Sequence, residues 1–234
     1  LTSGASLRPS LVTLERKVVI EFIGTFVIIF AAIATAIFNH NSETLKTLNC
    51  ATTAYLTIMV VIFATRHISG AHINPTVTFS FAVLKHFPWK HVPIYIGAQV
   101  LASVCAAFVL KEVYHPFMNG VTVPSGGYGQ SLEFIITFNL MFVVTAVATD
   151  TRNVEKLAGI AVGGTVMLNI LIARYILLSG DSMNPVRTLG LAIATNNYED
   201  IWIYMIAPIL GALAGTCTYT VVKLSKECEN KGFN

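Results

Sequence analysis

Six stretches of the chain run for about 20 positions with few polar residues, the length of helix that a bilayer core requires. They cover roughly residues 18–38, 48–65, 92–113, 132–149, 157–178 and 201–222, and each predicts a membrane-spanning helix. The fifth is the least clean, because Arg174 and Tyr175 interrupt it. Two further apolar stretches, 74–84 and 184–194, are too short to span. A helix of about eleven residues rises only about 16 Å, half a membrane. Each opens on Asn-Pro, a helix start: Asn caps, and Pro suits the first turn.

Basic residues set the orientation. Arg8, Arg16 and Lys17 precede the first span. Arg66, Lys85 and Lys90 fall between spans two and three, and Arg152 and Lys156 between four and five. Lys223, Lys226 and Lys231 follow the sixth. All of these lie on one side, and only Lys46, Lys111, Arg174 and Arg187 lie on the other. Both termini are therefore expected to be cytoplasmic, in the plasma membrane. The expected division is a cytoplasmic segment over 1–17, one transmembrane channel domain over 18–222 and a cytoplasmic segment over 223–234.

Composition agrees with this pattern. Apolar residues make up 54% and charged residues 12%, where a soluble domain carries about 25% charged. The mean hydropathy is +0.68. A soluble chain this apolar would lack polar side chains to cover its surface, which argues against a soluble enzyme, a disordered chain and a nucleic-acid binder. The net charge of +3 comes from scattered residues with no basic block. Cys50, Cys105, Cys217 and Cys228 show no metal spacing and read as packed thiols. The chain opens on Leu1, which points to trimmed termini. The apolar run after Lys17 is too long for a signal segment and lacks a small-residue cleavage site.

The chain also repeats itself. Glu21-Phe-Ile-Gly-Thr-Phe opens the first span and Glu133-Phe-Ile-Ile-Thr-Phe the fourth. Ser69-Gly-Ala-His-Ile-Asn74-Pro75 recurs as Ser179-Gly-Asp-Ser-Met-Asn184-Pro185. Two landmarks at near-equal spacing argue for duplication, with repeat one at about 18–113 and repeat two at about 131–222. Each repeat holds three spans, an odd number, so the second enters the membrane from the opposite face. The two short helices then dip in from opposite faces and their N-termini can meet at mid-membrane. Re-entrant backbone is tolerated there only against protein or a water-filled cavity. A pore follows, displaying the Asn74 and Asn184 amides and two positive helix ends. Glu21 and Glu133 are ionisable groups inside apolar helices, which are rarely idle. They read as acceptors for main-chain N–H groups of the re-entrant loops, with a proton relay as the other reading.

The paired Asn-Pro motifs, the paired Glu residues and the six spans resemble the major intrinsic protein family of aquaporins and aquaglyceroporins. His67-Ile-Ser-Gly-Ala-His-Ile-Asn-Pro, His86-Phe-Pro-Trp, Ala148-Thr-Asp-Thr-Arg152 and Ser182-Met-Asn-Pro-Val-Arg-Thr-Leu189 look like a plant nodulin-26-like intrinsic protein of the boric acid type. The resemblance implies an all-α membrane protein with six transmembrane helices and two re-entrant half-helices in an inverted repeat. It also implies a homotetramer in the lipid bilayer with one pore per subunit, conducting boric acid and related metalloid acids, glycerol, urea and water. No cofactor is implied.

The family usually carries Asn-Pro-Ala twice. Here Asn74-Pro75-Thr76 and Asn184-Pro185-Val186 stand instead, and Thr76 and Val186 are expected to pack beside the asparagines. The resemblance also implies a four-residue selectivity ring at the outer mouth. Arg187 supplies a fixed fork of donors, and Ala54 leaves width. Ile170, or Ile172 if no two-residue insertion precedes Ser179, gives an apolar wall. Asp181 is the fourth member, where Gly is common.

Asp181 either pairs with Arg187 or turns to the outer vestibule. Tyr55 stands where Gly is usual, and either leans toward the ring or packs on a neighbouring helix. Arg66 and His67 stand at the cytoplasmic mouth, Arg66 at a place the family often gives to Gly. With Tyr55 they are candidates for gating. His67 and His72 either sense pH or pack as neutral rings. Arg174 is expected to snorkel to the outer interface. Small residues four apart, Gly159/Gly163, Gly211/Gly215 and Ala98/Ala102/Ala106, are expected to pack the bundle.

The reading is thus a passive channel for small neutral solutes, restricted or gated at its outer ring. Its rivals are a secondary active transporter and a non-conducting structural tetramer of the same fold. No catalytic constellation or metal cluster suggests an enzyme.

Overall fold

The structure, a computed structural model, describes residues 12–38, 43–114, 129–150, 155–177 and 181–223. They form eight α-helices and no strand among the described residues. The long helices are α1 (Leu14–Phe38), α2 (Glu43–Ser69), α4 (Val92–Tyr114), α5 (Gly129–Thr149), α6 (Ala158–Leu177) and α8 (Ile201–Val222). The half-length helices are α3 (Pro75–Val83) and α7 (Pro185–Thr195). Five long helices are apolar and long enough to cross a membrane over their described residues. The sixth, α6, has 20 residues. Leu178, Ser179 and Gly180 lie outside the described residues. So does the side chain of Arg174, so its expected snorkelling is not addressed by the structure.

The helices pack as two matching sets. α1 meets α2 and α4, and α5 correspondingly meets α6 and α8. α3 lies against α8 and α7 against α4, while α2 meets α6 and α3 meets α7 across the centre. This pattern is unchanged when α1–α4 are exchanged with α5–α8.

α4 fixes the direction of the two half-helices. α3 ends just before a 3₁₀ turn, Trp89–His91, that leads into the first turn of α4. α7 ends where Lys111 Nζ, in the last turn of α4, donates to Ala194 O at 2.8 Å. Near the middle of α4, Ser103 Oγ donates to Val186 O in the first turn of α7 at 2.5 Å. The two half-helices therefore start together at mid-bundle and run to opposite ends.

Small residues allow the close crossings. At Gly211 and Gly215 a Cβ would lie 2.3 Å from the Phe134 and Phe138 carbonyl oxygens of α5, and at Gly159 and Gly163 within 2.8 Å of α2 carbonyls. Ala98, Ala102 and Ala106 are buried on α4. The outer faces carry exposed Leu56, Val60, Leu101 and Phe108, as an apolar surround demands.

Candidate functional site

Both half-helices start in the same way. Asn74 and Asn184 have extended backbones, with φ of −155° and −145°, and each side chain caps its own helix. Asn74 Oδ1 accepts from Thr76 N at 2.9 Å, and Asn184 Oδ1 from Val186 N at 3.2 Å. Only the oxygen can accept, so both amides are oriented with the NH₂ group turned away from the helix. That group reaches the other repeat: Asn74 Nδ2 donates to Met183 O at 2.8 Å, and Asn184 Nδ2 to Ile73 O at 3.2 Å. Each NH₂ carries two protons, and the reciprocal clasp uses one.

The clasp depends on unusual backbone. Ile73 and Met183, immediately before the asparagines, have φ of +55° and +52°. A branched residue such as Ile there is strained. Glu21 holds the first loop in place: Oε1 accepts from Ser69 Oγ (2.7 Å) and His72 N (2.9 Å), and Oε2 from Ile73 N (2.6 Å) and Gln99 Nε2 (2.9 Å). Glu133 holds the second, with Oε1 accepting from Ser182 N at 2.6 Å and Oε2 from Met183 N at 3.0 Å. Seven residues into α4 stands Gln99; seven residues into α8 stands Pro208, which cannot supply that donor. Glu21 thus takes two main-chain donors of its loop with the Ser69 hydroxyl and the Gln99 amide of α4, and Glu133 takes two main-chain donors of its loop, the geometry of a support.

A cavity of about 140 Å³ runs past these groups. On α2 its wall extends from Cys50 to Arg66, an axial distance of about 24 Å. Most of the wall is aliphatic, with Ile58, Ile62, Val144, Val162 and Val166 on it. Among its polar residues, Asn74 and Asn184 stand in the middle, Asp181 and Arg187 toward one end with Ala54 and Ile170, and Arg66 at the other; His72 and Ser182 also lie on the lining. Ile170 is buried and lines the cavity, whereas Ile172 is exposed on the outer surface of α6. Arg187 donates through Nη1 to the main-chain carbonyl of Asp181. Their direct contact therefore runs through the backbone, where a pairing of side chains had been one expectation. Asp181 is buried, not turned to an open vestibule.

The other expected positions separate into packing and surface residues. Tyr55 does not line the cavity. Its carbonyl and ring lie against Gly163, where a Cβ would stand 2.7 Å from the oxygen and 3.0 Å from Cδ2. It is a packing residue of the α2–α6 crossing, because α6 approaches closely there. His67 is exposed and does not line the cavity. His72 is buried among Phe81, Phe87 and Tyr95, with Nδ1 3.2 Å from Thr78 Oγ1. Thr76 and Val186 are buried beside the asparagines, and the Thr76 hydroxyl also donates to Asn74 Oδ1 at 2.9 Å.

Three supporting residues escaped the sequence reading. Gln99 links Glu21 to Thr78, since its Nε2 also donates to Thr78 Oγ1 at 3.2 Å. Tyr95 donates to Ser69 O at 3.0 Å. Asn169 donates to Ile136 O at 2.7 Å and to Met183 Sδ at 3.3 Å. An amide inside an apolar span was the available signal for Gln99 and Asn169.

Two capped half-helices clasped tip to tip inside a six-span bundle, beside an aliphatic passage with donors at only a few levels, define a channel for small uncharged solutes. The comparisons agree. The chain belongs to the major intrinsic protein family, whose model matches residues 9–219. It is 64% identical to Aquaporin NIP6-1 of Arabidopsis thaliana over 228 residues, 96% of this chain and 74% of the relative. It is 59% identical to Probable aquaporin NIP5-1 of the same species, over 92% of this chain and 71% of the relative. The X-ray structure of the aquaglyceroporin from Plasmodium falciparum shares the fold, with a TM-score of 0.73 at 23% identity over 90% of this chain and 97% of that one. The protein is an integral, multi-pass membrane channel that passes small neutral solutes passively, and it is not an enzyme.

Proposed function

We propose that the channel passes boric acid and related metalloid acids, glycerol and urea together with water, and that Ala54, Ile170, Asp181 and Arg187 select among them. The observation that carries this reading is the chemistry of that end of the cavity. One planar fork of donors, Arg187, stands with a methyl group and an aliphatic side chain, Ala54 and Ile170, on the same lining. Donors on one side suit a solute's hydroxyls, and apolar walls opposite tolerate its hydrocarbon or its faces. Asn74 and Asn184 continue the line of donors to the middle, with one proton of each amide committed to the clasp.

Asp181 restricts this passage. It is buried on the lining, and its carbonyl occupies part of the arginine fork. Residues 18–222 make one channel domain, repeat one at about 18–113 and repeat two at about 131–222. Residues 1–17 and 223–234 lie outside it on the cytoplasmic face of the plasma membrane. The assembly is a homotetramer with one pore per subunit, the arrangement that membership of the family implies.

The test is flux into liposomes carrying the native chain or Asp181→Gly. The variant is expected to admit boric acid and glycerol about 5- to 10-fold faster, the effect of a barrier lowered by about 1–1.4 kcal/mol. Equal rates for native and variant contradict the restriction. Rates no higher than in empty liposomes for both contradict the solute class.

A further inference from the structure

We propose that Arg66 is a second cationic filter, at the inner mouth of the passage and in series with Arg187. The inference rests on the channel reading above.

The two repeats are matched in shape but not in charge. Three residues after its asparagine, the second repeat carries Arg187; three residues after Asn74, the first carries Val77, and both line the cavity. An approximate twofold relation would therefore leave the inner end with no cation. Arg66 supplies one from a different element, the last turn of α2, twelve residues beyond Ala54 and about 18 Å further along the helix.

Arg66 does not swing freely in solvent. It is half-buried, and Nη2 donates to Val147 O at 2.9 Å, near the C-terminal end of α5. The last carbonyls of a helix carry partial negative charge and attract a cation. The guanidinium is a planar cation, so this anchor fixes a charge across the opening. Its neighbours on the wall are Gly70, Ala71, Ala148 and Ala158, which bring no charge and little bulk. Asp150, three residues beyond Val147, accepts from Tyr219 Oη at 3.0 Å and is not on the lining. A cation crossing the passage thus meets a guanidinium at each end, in a poorly solvated duct where repulsion is strong; at the Arg187 end the Asp181 carboxylate shares the lining, whereas the wall beside Arg66 brings no such carboxylate. A neutral solute meets aliphatic wall and hydrogen-bonding groups without that repulsion.

Two barriers in series give a specific signature: either one alone suffices. The experiment measures sodium leak into liposomes, by a sodium-sensitive dye, for the native chain, Arg66→Gly, Arg187→Val and the double variant. The expected result is no leak from the native chain or either single variant. The double variant is expected to leak at least about tenfold faster than either, the ratio given by about 1.4 kcal/mol of barrier. Arg66→Lys in the Arg187→Val background keeps the charge and is expected to restore the block, which a merely structural role would not do. The proposal is overturned if Arg187→Val alone leaks as fast as the double variant, if the double variant stays tight, or if Arg66→Lys does not block. Glycerol flux in the same liposomes reports separately on the solute reading: sodium leak restricted to the double variant, with no glycerol flux in any sample, contradicts that reading and leaves the filter standing.

Discussion

Replacing Glu21 by Ala is expected to abolish the channel by unfolding the first re-entrant loop. Four donors converge on this carboxylate, and two are buried main-chain N–H groups, those of His72 and Ile73. Each buried donor left without a partner costs about 1–3 kcal/mol. Two therefore amount to about 2–6 kcal/mol, a large share of the 5–15 kcal/mol that is usual for a folded protein. The same loop carries Gly70, Ala71 and Ile73 at positive φ, and the carboxylate is what offsets that strain. Glu21→Gln is expected to fall almost as far, because an amide offers one acceptor oxygen and turns its own donors toward the Ile73 N–H and the Gln99 amide. Thermal melting of purified protein, read together with glycerol flux, checks both. Native melting and native flux in Glu21→Ala are the outcome that sinks the support role.

The second large effect is expected at the α5–α8 crossing. Gly211→Ala with Gly215→Ala adds two methyl groups, each about 2.3 Å from a main-chain oxygen of α5. Main chain inside a helix cannot step aside, so α8 must move as a whole. Overpacking costs about 1–3 kcal/mol per site in ordinary cores, where side chains can give way. α8 also packs against α3, so the displacement reaches the half-helix and the tip-to-tip clasp. Gly97→Ala and Gly164→Ala make the control, since a Cβ at either meets nothing within 4 Å and Ala is the better helix former by about 1 kcal/mol. The first pair is expected to lower the melting temperature sharply and the second to leave it level or raise it. Equal melting of the two pairs contradicts the close-approach argument.

The fold was largely legible because the bilayer imposes a length and a polarity on each span. The stretch 201–222 matches α8, and the Asn-Pro starts give the two half-helices together with their caps. Where prediction and structure part, hydropathy had measured immersion and not helicity. α2 runs from Glu43 to Ser69 against an apolar stretch of 48–65, because Glu43, Lys46 and Arg66 are good helix formers outside the hydrocarbon. The loop supports at Glu21 and Glu133 were legible from their cost in an apolar helix. The clasp was not: it needs Ile73 at positive φ, which no local propensity favours. Of the two readings of Tyr55 the packing one holds and the gating one does not, because one position along a helix turns a side chain by 100°, away from the lumen and onto Gly163. The Arg66 anchor joins residues 81 apart in sequence, a contact that only the packing of α2 near α5 creates.

The central claim is that two short helices enter from opposite faces and meet at their N-termini. Thiol labelling tests it most directly. With the native cysteines replaced by Ser, His86→Cys marks the far end of α3 and Glu199→Cys the far end of α7; both positions are exposed. A membrane-impermeant maleimide applied from one side of sealed vesicles, then from the other, is expected to label each position from one face only, and the two from different faces. Labelling of both positions from the same face contradicts the account.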